Sequence, residues 1–171
     1  MKLNISDILG TNNKTNTKAK QLHTGEVFAL WQHLLLRYDT YEMTDIFENF
    51  ANDVEFKGIL SLGKTVLSKE ILELEKQMDS YGIPLPPRPP KSINTSANTE
   101  VLRDELMFRL IYMGIQNFLT QHIRTILNTS NEDLLTIFKK FEDMEMELFT
   151  KLQKYAQFKG WIFIPPAYKN S

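Results

Sequence analysis

The stretch that decides the fold is residues 82–98, which have the sequence GIPLPPRPPKSINTSAN. Five of the seven prolines in the chain fall within it. A proline-rich segment favours polyproline II, which rises about 3.1 Å per residue, so these residues can span on the order of 50 Å. A thirty-residue helix is about 45 Å long, whereas neighbouring helix ends lie only about 10 Å apart. The stretch is therefore long enough to run the whole length of a helical bundle, and we expect Leu85 and Ile93 to anchor it in grooves between helices.

Four segments with helical periodicity flank this stretch, two on each side. In each of them apolar residues recur every three or four positions. The segments cover about 24–50, 53–81, 99–127 and 130–159. Helices one and two, and helices three and four, are joined by short connections that make antiparallel hairpins. The sequence therefore predicts an all-α fold, a ferritin-like four-helix bundle with one long crossover between helices two and three.

Residues that favour helix ends mark the limits of these segments. Asn52 and Thr129 are each followed three residues later by a glutamate, the pattern of a capping box, and are the predicted N-caps of helices two and four. Gly82 and Gly160 are the predicted stops of the same helices.

The composition excludes several classes of function. The chain has 171 residues, 42% of them apolar, and a net charge of −1, a poor electrostatic match for a nucleic-acid binder. It has no cysteine, which excludes disulfides, thiol catalysis and cysteine-ligated metals. The longest apolar run, 110–115, is far too short to span a membrane, and the polar N-terminus does not resemble a signal peptide. We expect neither nucleic acid nor a membrane as a partner.

Two tails flank the predicted helices. Residues 1–21, with four lysines and one aspartate, are predicted to be a flexible tail, either solvated or acting as a partner-binding arm. Residues 22–171 are predicted to form a single bundle domain. This domain ends in the apolar, proline-stopped segment 161–168, which either packs back on the bundle or offers a patch to a partner.

Some ferritin-like bundles hold a dinuclear metal site. Its ligands are a glutamate from each of two helices and a Glu-x-x-His motif from each of the other two. No histidine of this chain has a glutamate three residues before it. The chain offers Glu70 with Glu73 and Glu142 with Glu145, but Glu-x-x-Glu is common on solvated helix faces. There is also no nucleophile–base pair and no glycine-rich phosphate loop. We therefore expect no metal, no cofactor and no catalytic residue.

Four residues are the candidates for metal ligands if the interior does hold a site: Glu70, Glu145, Asp39 and His122. Glu70 and Glu145 fall inside the apolar stripes of helices two and four. A buried carboxylate must be paired, hydrogen-bonded or neutralised. Two alternatives follow. In the first, the four candidates and Tyr38 meet as a polar cluster, and Glu70 is buried and hydrogen-bonded to a polar group on another helix. In the second, they lie at the edges of the apolar stripes with their polar ends in water.

Motifs along nearly the whole chain carry a resemblance to a known family. The matching segments are 22–27, 30–31, 47–60, 67–68, 82–86, 113–115, 147–151, 159–161 and 164–166. The Gly-Ile-Pro-Leu-Pro after helix two and the closing Lys-Gly-Trp-x-x-x-Pro-Pro are the most specific. On these segments the chain resembles the ferritin-like proteins of spore-forming Bacilli and Clostridia related to spore coat protein F, a family of unknown function. That family often carries a histidine where Glu70 stands, and the departure argues further against a metal role.

The resemblance implies a link to sporulation or the spore surface and implies no reaction. We expect a non-enzymatic structural or interaction protein, in the mother-cell cytoplasm or the spore coat. Its expected partners are proteins, including other coat components and further copies of itself. The alternative is a metal-binding bundle with a carboxylate-rich interior site that holds a divalent cation.

Overall fold

The computed structural model describes residues 21–88 and 102–162, and four helices account for most of them. The helices are α1 (Thr24–Phe50), α2 (Val54–Ser80), α3 (Asp104–Asn128) and α4 (Glu132–Lys159). Helix α3 begins five residues later than predicted, because Arg103 keeps an extended backbone with φ −77° and ψ 141°. Helices α2 and α4 stop close to Gly82 and Gly160, as predicted. Both glycines have a positive φ, which other residues rarely adopt.

The ends of the helices show which way each one runs. The carboxylate of Asp104, at the start of α3, accepts hydrogen bonds from the amides of Asn52 and Asp53 at 3.0 and 2.8 Å. Helix α3 therefore begins at the end of the bundle where α2 begins, here called the Asp53 end. At the opposite end, the side-chain amide of Asn131 donates to the hydroxyl of Tyr81 at 3.2 Å, so α4 begins where α2 finishes. The long crossover between α2 and α3, which joins opposite ends of the bundle, is confirmed.

The first residues of the crossover turn back along α2. Arg88 donates to Glu75 of α2 at 2.5 Å, and the same carboxylate oxygen accepts from the hydroxyl of Tyr38 of α1 at 2.5 Å. Ile83 packs against the apolar core, and Pro86 is buried. Leu85, predicted as an anchor, is exposed, and Ile93 lies outside the described residues.

Two of the predicted helix caps are wrong by one or two residues. The N-cap of α2 is Asp53 rather than Asn52, and that of α4 is Asn131 rather than Thr129. Each of these side chains accepts hydrogen bonds from amides in the first turn. Thr129 does not cap α4 because its hydroxyl donates to Glu26 of α1 at 2.7 Å, a tertiary contact that local sequence does not reveal.

The apolar core consists of two clusters stacked along the bundle axis. The cluster at the Asp53 end contains Phe47, Ala51, Phe56, Leu60, Met107, Phe108, Ile115, Leu119, Leu152 and Ala156. The cluster at the opposite end contains Leu30, Leu34, Tyr38, Leu74, Met78, Leu134, Phe138 and Phe141. Four buried side chains, Arg37, Glu70, His122 and Glu145, lie between the two clusters, because each falls between residues of both clusters along its own helix.

The start of the C-terminal segment packs on the bundle. The ring of Trp161 lies against Phe56, Phe108 and Tyr155, with ring centroids 5.6–5.7 Å apart. Packing of the tail is thus confirmed for Trp161 and Ile162, and residues 163–168 lie outside the described part. The predicted tail 1–21 lies outside it too, apart from Gln21. None of the four described helices is apolar over a stretch long enough to cross a membrane.

Candidate functional site

The guanidinium of Arg37 occupies the centre of the bundle, where it is 1% exposed. It reaches the carboxylate of Glu145 on α4 through two parallel contacts, Nη1 to Oε1 at 2.8 Å and Nη2 to Oε2 at 3.1 Å. Such bidentate pairs are the strongest arginine–carboxylate contacts. The flat face of the guanidinium lies 3.8 Å from the centre of the Phe118 ring on α3, a cation–π contact. Arg37 thus joins α1 to both helices of the second hairpin.

Glu70 of α2 is the second carboxylate beside Arg37. Its Oε2 lies 2.9 Å from Nε of Arg37, but the N–H does not point at the oxygen, so the pair is a charge contact rather than a hydrogen bond. Neither oxygen of Glu70 has a hydrogen-bond partner among the described residues, although the side chain is 1% exposed. Burial raises the pKa of Glu70 to about 7, against the opposing charge of Arg37 and with a further rise caused by the charge of Glu145.

His122 of α3 completes the cluster on the Glu145 side. Its Nε2 lies 2.7 Å from Oε2 of Glu145 and 2.9 Å from Nη2 of Arg37. A carboxylate can only accept, so in the neutral ring Nε2 carries the proton and donates to Glu145. Burial raises the pKa of Glu145, but the hydrogen bond from His122 and the charge and hydrogen bonds of Arg37 outweigh this effect and hold the pKa below its usual value.

A second buried histidine, His33 of α1, stacks on His122 with ring centroids 5.2 Å apart. Its Nδ1 donates to the carbonyl of Ala29 at 2.7 Å. Burial, together with the neighbouring His122 and Arg37, lowers the pKa of His33 to about 3, so this ring is neutral. The side chains of Arg37, Glu70 and Glu145 together carry a net charge of −1 when Glu70 is ionised and zero when Glu70 is protonated.

Of the residues predicted from sequence, the structure brings Glu70, Glu145 and His122 together, while Asp39 is exposed. Tyr38 is buried but bonds to Glu75 in a separate contact. The alternative of an interior cluster is therefore confirmed for three of the four candidates. The prediction that Glu70 is buried is confirmed, but its predicted hydrogen bond to another helix is wrong, because Glu70 makes an ion pair with Arg37 instead.

Two members of the cluster, Arg37 and His33, were missed by sequence reasoning. Neither residue was among the candidates, which were carboxylates inside apolar stripes and the residues expected to meet them. Their spacing could have revealed them, because Leu30, His33, Leu34 and Arg37 follow the three- and four-residue steps of a single buried face.

The residues present do not fit the dinuclear metal centre of a ferritin-like bundle. The position between the carboxylates is filled by the Arg37 guanidinium, and Glu73 and Glu142 are half-exposed and make no recorded contact with the cluster. Across residues 21–88 and 102–162, no group of three or more histidine, aspartate and glutamate side chains is arranged to hold a metal ion. We therefore assign no chemistry to a metal here.

Changing Glu70 to glutamine should alter the pH dependence of stability. The folded-state pKa of about 7 lies above the ordinary value of 4.5, so between these pH values the folded protein binds more protons than the unfolded one. The free energy of unfolding contributed by Glu70 therefore falls as pH rises through this window. We expect Glu70→Gln to match the wild type at pH 4 and to exceed it by on the order of 3 kcal/mol at pH 8.

Urea unfolding of the two proteins across this pH range measures the difference, in which contributions common to both, such as that of His33, cancel. Glu70→Ala serves as the comparison: it also removes the titrating carboxylate but leaves a cavity, so it should be about 1–3 kcal/mol less stable than Glu70→Gln. A difference between Glu70→Gln and the wild type that does not change with pH would contradict the prediction.

A separate buried carboxylate, Glu26 of α1, ties the start of α1 to the start of α4. Its Oε1 accepts from the hydroxyl of Thr129 at 2.7 Å and from the amides of Ser130 and Asn131 at 2.8 and 2.9 Å. Its Oε2 accepts from the amide of His23 at 3.0 Å, which closes a capping box. Burial raises the pKa of Glu26, but hydrogen bonds from these four groups outweigh it and lower the pKa to about 2.

We expect Glu26→Gln to lower the free energy of unfolding by about 1–3 kcal/mol, because the amide nitrogen cannot accept the bonds that the carboxylate accepts. The stabilisation due to Glu26 is present above pH 4.5 and is lost as pH falls towards 2. Glu132→Gln, an exposed change in the first turn of α4, is the matched control and should stay within about 0.5 kcal/mol of the wild type. Equal urea midpoints for the two variants at pH 7 would contradict the assigned role.

The fold and this cluster define a class of protein: an all-α, single-crossover four-helix bundle whose buried carboxylates face an internal arginine. Residues 11–171 match the family described as protein of unknown function DUF3231, and the chain belongs to that family. Among solved structures, it is similar to a Bacillus halodurans protein described as a "putative spore coat protein", with 25% sequence identity and a TM-score of 0.81. The match covers 88% of this chain and 98% of the other. A comparison with curated proteins finds no match.

Proposed function

We propose that this chain is a non-enzymatic structural or interaction protein linked to sporulation, and that it belongs with the ferritin-like proteins related to spore coat protein F. The observation that carries the proposal is the pairing of the interior carboxylates with an arginine. The buried carboxylates Glu70 and Glu145 both face Arg37, so the groups that would hold a metal in a ferritin-like bundle act as structural ion pairs. The similarity to the Bacillus halodurans protein supports the link to the spore.

The proposed location is the mother-cell cytoplasm or the spore coat. A fluorescent fusion of the full chain, expressed from its own promoter in a sporulating Bacillus, tests it. We expect the signal to appear after sporulation begins and to collect around the forespore. A signal already present and evenly distributed in vegetative cells would contradict the link to sporulation.

The proposed partners are other coat proteins and further copies of the same chain. Several large apolar side chains are exposed on the bundle and support association: Phe28, Leu62, Leu72, Leu127 and Phe158. Light scattering coupled to size exclusion measures the mass directly. A mass that remains that of the monomer up to the highest soluble concentration would contradict self-association.

The alternative, a bundle that holds a divalent cation, has one observation in its favour. Both oxygens of Glu70 are buried without a hydrogen bond among the described residues, which leaves them able to accept a further ligand. Elemental analysis of the purified full chain separates the two proposals. Stoichiometric iron or manganese that is lost in Glu70→Ala would favour the metal-binding function and overturn the structural one.

A further inference from the structure

The buried cluster has the composition of a cation site. Three groups from three helices surround one point: the carboxylates of Glu70 and Glu145 and the imidazole of His122. The guanidinium carbon of Arg37 lies at that point, and Arg37 belongs to α1, the remaining helix of the bundle. All three groups are within 3.1 Å of a guanidinium nitrogen, and each is less than 5% exposed. Removal of the guanidinium would leave two buried carboxylates with no opposing charge.

Two further observations show that the cluster has capacity left for a ligand. Both oxygens of Glu70 lack hydrogen-bond partners among the described residues. A cavity of about 50 Å³ also lies beside the cluster, with Arg37, Glu70 and Glu145 in its wall and mostly apolar side chains elsewhere, apart from Thr40 and Thr44. A volume of about 10–15 Å³ suffices for one water molecule, so there is room beside the carboxylates for a small ion.

We infer that Glu70, Glu145 and His122 form a cation-binding site, here called the cage, which the Arg37 guanidinium fills in the native protein. When Arg37 is replaced by a residue without a charge, the cage should bind a free small cation. The Arg37 side chain is covalently attached and always charged, so in the native protein the cage does not depend on any ion from solution.

Rescue of the full-length Arg37→Ala variant by free guanidinium tests the inference. Thermal melts are followed by far-ultraviolet circular dichroism in millimolar guanidinium chloride and in sodium chloride of equal ionic strength. A ligand that binds only the folded state raises the melting temperature in a saturable way. We expect a saturable rise of several degrees for Arg37→Ala and no rise for the wild type. If Arg37→Ala is unfolded in buffer, recovery of helical signal on adding guanidinium is the readout.

Two control variants make the result specific. Lys64→Ala removes a cation that lies between Asp45 and Glu48, and we expect no rescue there, since those carboxylates are partly exposed to water. The double variant Arg37→Ala/Glu145→Gln also removes the carboxylate that makes the bidentate contact with the guanidinium. We expect free guanidinium not to raise the melting temperature of this variant. Manganese chloride in place of guanidinium distinguishes a metal from an organic cation, and saturable stabilisation of Arg37→Ala by either one supports the cage.

Three results would overturn the inference. One is the absence of any saturable stabilisation, or of refolding, of Arg37→Ala by guanidinium or manganese. Another is an equal response of the wild type or of Lys64→Ala, which would show a nonspecific salt effect. The third is stoichiometric manganese binding by the wild type that Glu145→Gln abolishes, because the cage would then accept a metal with Arg37 in place.

Discussion

Replacing Arg37 by methionine is expected to lower the free energy of unfolding by about 3–5 kcal/mol at pH 8, the usual cost of breaking a buried ion pair from one side. Methionine fills much of the volume but brings no charge, so Glu145 loses both contacts from the guanidinium and Glu70 loses its counter-charge. Urea unfolding of the full chain measures the loss. Lys64→Met is the matched control at a partly exposed ion pair, and it should cost less than about 1 kcal/mol.

A combined variant separates lost charge pairing from lost packing. Adding Glu70→Leu and Glu145→Gln to Arg37→Met removes the stranded charges and keeps an acceptor for His122. Replacing a whole buried ionic set by groups of similar volume is often neutral or stabilising, so most of the lost stability should return. If Arg37→Met alone unfolds with the same midpoint as Lys64→Met, the guanidinium is not what neutralises the buried carboxylates.

Replacing residues 82–103, the whole connection up to the start of α3, by a five-residue Gly/Ser linker is expected to abolish the monomeric fold. Helix α2 ends at the opposite end of the bundle from the start of α3, and its 27 residues are about 40 Å long. A five-residue linker reaches only about 18 Å when fully extended. Circular dichroism and light scattering should therefore report loss of the cooperative melt, or assembly through exchanged hairpins.

The matched control keeps the length and changes only the composition. Replacing residues 89–101 by a Gly/Ser segment of equal length preserves the reach and leaves the contact between Arg88 and Glu75 in place. This variant should fold with a modest loss of stability. A five-residue variant that melts cooperatively as a monomer near the wild-type temperature would show that α2 and α3 are antiparallel neighbours and that the assigned connectivity is wrong.

The helices and the crossover could be predicted from sequence because both depend on information local to the chain. Apolar spacing depends on 3.6 residues per turn, and the reach of the crossover depends on its length and its prolines. Errors at the helix starts arose where a distant side chain intervened. Thr129 bonds to Glu26, 103 residues earlier in the chain, and so does not cap α4.

The candidate site was predictable only in part. Glu70 and Glu145 stand out in sequence because a carboxylate inside an apolar stripe needs a partner. The spacing of apolar residues within one helix does not show which residue of another helix is that partner. Asp39 was a wrong candidate for a simple reason. It lies two residues beyond Arg37, about 200° further round the helix, and so faces solvent when Arg37 faces the core.

By itself, the sequence determined an all-α chain of four long helices, two hairpins and a connection that joins opposite ends, since each of these follows from periodicity or reach. The tertiary structure alone decided that Arg37, Glu70, His122 and Glu145 lie at one level of the bundle. Whether these side chains meet depends on how far each helix is shifted along the bundle axis relative to the others. The contacting residues are 23 to 108 positions apart in the chain. Helical periodicity fixes which way a side chain faces around its own axis. The height at which two helices pack is set by the fit of all their side chains together, which is why the partner of a buried carboxylate could not be predicted from its own helix.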